Sequence, residues 1–144
     1  MKQSFAFVIL VTVIVGVATV VAINTFQTTT TAEANLDAVR QDMASLAAAA
    51  RGYQMRPVTL DGGGGSFAGI TFRKIAFSTD SIHPGDLVSH NINGTYVFIA
   101  ADTSLSITGY PASHPGHVPG STTGASMNLV VTAEHLTWTR INPD

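Results

Sequence analysis

Residues Phe5 to Ile23 read FAFVILVTVIVGVATVVAI, nineteen positions without a charge. Wound as an α-helix at about 1.5 Å per residue, the run is about 28 Å long, close to the roughly 30 Å hydrocarbon thickness of a bilayer. It is apolar on every side, so it lacks the wet face that a surface helix keeps. Such a helix has to be surrounded by lipid or by other protein. Thr12 and Thr19 do not disturb this, because a helical threonine can donate its hydroxyl proton to the carbonyl one turn back. Gly16, flanked by the β-branched Val15 and Val17, predicts a weak or broken turn, since Gly in a helix interior costs about 1 kcal/mol relative to Ala. Three fates fit such a run: a cleaved secretory signal, a membrane anchor, or a helix held in the membrane and later packed into the core of a polymer. A secretory signal has a shorter apolar core, about 7–15 residues, and a small-residue cleavage site; Ala18-Thr19-Val20-Val21-Ala22 is a poor one. Only the residues beyond Ile23 separate the two remaining fates.

After Ile23 comes Asn24-Thr25-Phe26-Gln27 and then four threonines, Thr28 to Thr31, which are poor helix formers and mark either a hinge or the wet end of a membrane span. From Ala32 the helical period returns. Leu36, Val39, Met43, Leu46, Ala50 and Tyr53 form one apolar stripe, while Asp37, Arg40, Gln41, Asp42 and Ser45 are assigned to the opposite, wet side. Gly52 weakens the helix and Pro57 cannot continue it. This predicts one long helix to about residue 54. Its first part, 1–27, is apolar all round, and its second part, 28–56, is amphipathic.

Beyond Pro57 the period becomes strand-like. The glycine run Gly62-Gly63-Gly64-Gly65 reads as a flexible loop, a turn or a close-packing site; no Lys-Ser/Thr pair follows it, so it is not a phosphate loop. Short β-type runs are expected at 69–72, 74–77, 95–100, 104–108, 128–132 and 136–141. Asn93-Gly94 is a turn pair, and Ala101-Asp102-Thr103 joins two strands at hairpin spacing. Tyr96-Val97-Phe98-Ile99 is apolar on both faces and is placed centrally. Leu136 and Trp138 alternate with Thr137 and Thr139, as in a half-buried final strand. Residues 111–124 form a long Pro/Gly-rich surface loop. The expected fold is α+β, with the second half of the helix packed on a small antiparallel sheet. The expected boundary lies between residues 1–56 and 57–144.

Composition bounds the chemistry. The 144-residue chain has no cysteine, which removes thiol catalysis, cysteine metal sites and disulfides. A small exported domain often relies on disulfides, so stability has to come from elsewhere, oligomerisation being one route. Net charge is −2 and only 11% of residues are charged, with the basic ones scattered; nothing outlines a nucleic-acid surface. Five histidines raise the question of a metal site. His114 and His117 are three apart, but they fall in the Pro/Gly loop, and two ligands are fewer than a zinc site needs. They are read as solvated loop residues. No nucleophile-elbow motif accompanies the many serines. No catalytic residue, metal ligand or cofactor is therefore expected. Asn93-Gly94-Thr95 is also an N-glycosylation sequon, a weaker reading of residues that already make a turn.

A polar tip, an apolar helix, an amphipathic continuation and a C-terminal sheet together resemble a type IV pilin or a type II secretion pseudopilin. The segments Ala38 to Ala47, Tyr53 to Pro57 and Gly62 to Phe72 are similar to those of bacterial pilin-like proteins. The chain departs from typical type IV pilins: Phe5 stands where they carry a glutamate that meets a neighbour's amine, no basic leader ending in glycine is visible, and the usual C-terminal disulfide is absent as well. The resemblance implies a structural subunit that is exported, stored in the inner membrane and stacked by assembly machinery into an extracellular filament of its own copies. Phe5, Phe7, Val8, Ile9, Leu10, Val11, Val13, Ile14, Val17, Val20, Val21, Ile23 and Phe26 would then form the filament core. A minor pseudopilin of a secretion apparatus and a membrane-anchored extracytoplasmic binding module are the alternatives.

The polar tip Lys2-Gln3-Ser4 favours a cytoplasmic start under the positive-inside tendency. Its positive charge has no acid to meet before Glu33. Thr28, Thr29, Thr30 and Thr31 lie about 40 Å along the helix from Lys2. A neighbour shifted by that distance in a fibre would bring its tip beside these threonines, with Glu33 one turn further.

Overall fold

The computed structural model describes residues 2–114 and 117–141, and the side chains of all of these except residues 24–30, 140 and 141. Helix α1 spans Lys2–Met55 and is followed by a short 3-10 turn, Val58–Leu60. Six strands follow among the described residues: β1 Ser81–Ile82, β2 Val88–His90, β3 Gly94–Ala100, β4 Ser104–Pro111, β5 Ser126–Thr132 and β6 Leu136–Ile141. They form one antiparallel sheet in sequence order, a meander in which each strand pairs with the next. The fold is α+β.

The chain divides into two compact units, Met1–Ala34 and Asn35–Asp144. The second half of α1 thus falls in the same unit as the sheet. Within that unit Val39, Met43, Leu46, Ala50 and Tyr53 are all buried, with Leu36 partly buried at the edge. They face Tyr96 and Phe98 of β3, Leu105 and Ile107 of β4, and Met127, Leu129 and Val131 of β5 in one core. Side chains of α1 pack directly on Gly109 of β4, where a Cβ would lie 2.7 Å from Sδ of Met43 and 3.0 Å from Cγ1 of Val39.

Several expectations are corrected here. The apolar runs 69–72 and 74–77 are not strands. They belong to an irregular segment that plugs the core with Phe67, Ile70, Phe72 and Ile75. The Phe72 ring stacks on Phe98 at 4.0 Å between centroids, and Phe77 meets Tyr96 edge-on at 5.5 Å. Aromatic side chains inserted from irregular backbone produce the same apolar pattern as a short strand. The glycine run is an ordered cap. Amides of Gly63, Gly64 and Gly65 donate to the carbonyls of Tyr53, Arg56 and Gln54 at 2.8, 2.9 and 2.7 Å. The Gln54 and Arg56 carbonyls would otherwise be left open at the helix end, while the Tyr53 carbonyl also accepts from the Arg56 amide at 3.2 Å. Gly63 has no room for a side chain, since a Cβ there would run into the Ser66 carbonyl oxygen.

Asp42, assigned to the wet side, is turned into the domain instead, at the head of the β2–β3 turn. Its Oδ2 accepts hydrogen bonds from Tyr96 Oη (2.6 Å), Asn93 Nδ2 (2.8 Å) and Asn91 Nδ2 (2.9 Å). On β3, Ile99 is 65% exposed, so the strand is central in order but wet at its far end. Leu136 and Trp138 of β6 are 44% and 46% exposed, because β6 is the last strand and no further described element covers it. Helix α1 is unbroken at Gly16, so the broken turn expected there is not found, and the backbone is assigned helical through Thr28 to Thr31. One glycine's propensity cost is small beside the cooperative ladder on both sides of it.

Candidate assembly surface

The N-terminal unit offers one feature of functional size. Residues Lys2–Ile23 make a helix long and apolar enough to cross a membrane, and none of that span is buried within the chain. Phe5 is 71% exposed, Val13 57%, and Phe7, Val8, Ile9, Leu10, Val11, Ile14, Val17, Val20, Val21 and Ile23 are exposed likewise. Every face of this helix is therefore available to something outside the chain. Thr12 Oγ1 and Thr19 Oγ1 donate to the carbonyls of Val8 and Val15, both at 2.8 Å. The two hydroxyls thus find acceptors within the helix, which lets them enter an apolar surrounding at little cost. Beside Gly16 a Cβ would meet nothing within 4 Å, so the glycine leaves a local notch in the helix surface.

At the helix start Lys2, Ser4, Phe5 and Val8 line one shallow cavity. Thr31 and Glu33 are exposed. The side chains of Phe26, Thr28, Thr29 and Thr30 lie outside the described residues, and with them most of the proposed contact for the polar tip.

The larger unit carries features that the sequence does not reveal. Besides the Asp42 cluster, Asn35 donates through Nδ2 to the carbonyl of Asn93 at 2.9 Å and accepts from the Ser113 amide at 3.0 Å. Arg51 Nε donates to the Thr132 carbonyl and Gln54 Nε2 to the Gly65 carbonyl, both at 3.2 Å. The amphipathic half of α1 is thus pinned to its sheet by polar clamps along its length as well as by the apolar stripe. The burial of Tyr96, with the Asp42 carboxylate beside it, pushes the phenol well above its ordinary pKa. Asn93 uses its side-chain nitrogen, the atom a sugar would occupy, to bond Asp42. A groove of about 370 Å³ lies where Leu36 and Arg40 of α1 meet Met127 of β5 and Trp138 of β6.

Comparison of the chain with protein-family models, with curated proteins and with solved structures finds no match. What is shown is an architecture: a long apolar N-terminal helix whose continuation packs on a small antiparallel sheet, consistent with a pilin-like subunit.

Proposed function

We propose that this protein is the repeating structural subunit of an extracellular, pilus-like filament that assembles through its apolar N-terminal helix. The observation that carries the reading is the contrast between the two units. Residues 35–144 close their own core, with Val39, Leu46, Tyr96, Ile107 and Leu129 essentially sealed from solvent, whereas Phe5–Ile23 has no cover at all within the chain. A helix that projects apolar side chains in every direction has to be enclosed by lipid or by its own copies.

Burying it from water is worth on the order of tens of kcal/mol at about 25 cal/mol per Å². Moving it from lipid into a bundle of identical helices gains far less, because lipid tails are already apolar. Polymerisation from the inner membrane thus calls for dedicated machinery, while a finished fibre in water holds together without it. The tip residues Lys2, Gln3 and Ser4 would pass the Thr28–Thr31 run and Glu33 of a neighbour in a staggered stack. That contact supplies polar partners where typical pilins use a glutamate. Electron microscopy of the purified full-length chain after detergent removal tests the reading, since a membrane-anchored module leaves no long polymer behind.

A further inference from the structure

Where the β2–β3 turn enters β3 stands Asn93-Gly94, the only Asn-Gly pair in the sequence. The fold uses both residues. Asn93 donates through Nδ2 to Oδ2 of Asp42 at 2.8 Å. At Gly94 a Cβ would lie 2.3 Å from the Tyr110 carbonyl oxygen, so a side chain has no room there. Together they make the dipeptide in which a side-chain amide is chemically least secure. Glycine has no Cβ to hinder the approach of its amide nitrogen to the neighbouring side-chain carbon.

The reaction open to such a pair has two steps. The Gly94 nitrogen, its proton taken by hydroxide, bonds to Cγ of Asn93. The Cγ–Nδ2 bond breaks, and that nitrogen leaves as ammonia with a proton regained from water. Water then opens the cyclic imide at either carbonyl, giving aspartate or isoaspartate. The net change consumes a water and releases an ammonia, with no oxidant or reductant.

The structure holds the first step back. The peptide group between Asn93 and Gly94 is gripped at both ends. Its carbonyl accepts from Asn35 Nδ2 and from the Ala112 amide, each at 2.9 Å, and its N–H donates to Asn91 Oδ1 at 3.2 Å. The nitrogen that would leave is the one held by Asp42. For the Gly94 nitrogen to lose its proton and turn towards Cγ, this grip has to loosen.

We propose that Asn93 is a deamidation site gated by the Asp42 turn: it stays intact while the turn is closed and converts when the turn opens. Conversion then keeps the turn from closing again. A carboxylate at position 93 stands where a donor stood, facing Asp42, and like charges so placed repel. Isoaspartate also lengthens the main chain at the turn that sets β2 against β3. The inference stands apart from the filament reading, because every group it uses lies in residues 35–112.

The test follows Asn93 by peptide mapping and mass spectrometry. The full-length chain is held in detergent micelles at mildly alkaline pH, beside the same chain in guanidinium chloride. Conversion is expected to be at least about tenfold slower in the folded chain, because the reaction waits on the small open fraction of the turn. Asn91→Ala, which frees the Gly94 amide, is expected to speed conversion severalfold while the chain stays folded. Asn93→Asp is expected to melt below the unmutated chain. The comparison of folded with unfolded chain needs no variant. Equal rates in the two, no conversion even in guanidinium chloride, an unchanged rate in folded Asn91→Ala or an unchanged melt of Asn93→Asp would overturn the proposal.

Discussion

The phenol of Tyr96, fully buried on β3, donates a 2.6 Å hydrogen bond to Oδ2 of Asp42, 54 residues earlier on α1. The bond fastens the helix to the sheet at the turn where Asn91 and Asn93 add two more donors to the same carboxylate oxygen. Because Asp42 gathers three donors, its removal leaves more unsatisfied groups than the removal of any one of them. Tyr96→Phe is expected to cost about 1.5–3 kcal/mol, the range for a hydrogen bond to a charged group, and Asp42→Ala more than that. Chemical denaturation of both variants measures the order. Equal stability of Tyr96→Phe and the unmutated chain would show that the cluster contributes nothing.

The same bond predicts an alkaline limit. Burial and the Asp42 carboxylate raise the Tyr96 pKa in the folded state, so above about pH 10 the unfolded chain loses a proton that the folded chain keeps. Stability is therefore fully present below that pH and falls above it, by up to about 1.4 kcal/mol per pH unit from this one group. Denaturation curves at successive alkaline pH values should show a shallower decline in Tyr96→Phe than in the unmutated chain. Parallel declines would contradict it.

At Gly109 the sheet leaves no free space below α1, and a Cβ would fall 2.7 Å from Met43 Sδ and 3.0 Å from Val39 Cγ1. Methionine is flexible enough to yield to one methyl group, whereas a branched side chain has to displace Val39 as well. Gly109→Val is expected to cost about 1–3 kcal/mol as overpacking, and Gly109→Ala less. Thermal melts of the two variants should separate them in that order.

How far these features can be read from sequence depends on whether their cause is local. Strand β6 matches the expected span 136–141, and β3, β4 and β5 contain the expected runs, because apolar alternation is written along each strand. Strands β1 and β2, two and three residues long, show no period at all and have no counterpart among the expected runs. Phe72 and Ile75 suggest strands because core-plugging loop residues carry the same apolar signal. Asp42 looks like an ordinary wet-face carboxylate, since Asn91, Asn93 and Tyr96 stand about fifty residues away along the chain. The candidate assembly surface is the most legible part, because an uninterrupted apolar run declares itself without any tertiary partner. The grip on Asn93 is the least legible, because its partners Asn35, Asp42 and Ala112 are scattered along the chain.

Removing the first 27 residues takes away the exposed apolar helix but none of the buried core, whose first member is Val39. A chain beginning at Thr28 is expected to be a soluble monomer by light scattering. Stable oligomers of that chain would mean that the larger unit associates through its own surface, for example the groove between Leu36 and Trp138.

Within the apolar run, Val13→Asp places a carboxylate on a helix that is to be wholly enclosed. An isolated charge there has neither water nor a partner, at a cost of several kcal/mol. The variant is expected to yield no filaments while residues 35–144 keep the melting behaviour of the unmutated protein. Fibres of normal appearance would place Val13 outside the core.

Whether Phe5–Ile23 is covered by copies of itself is read out by cryo-electron microscopy of the detergent-free full-length protein. Long fibres of this one chain are expected, with the helices of residues 5–23 bundled along the axis. Only monomers, small micellar particles or lipid-bound protein, with no polymer under conditions that keep the larger unit folded, would contradict it.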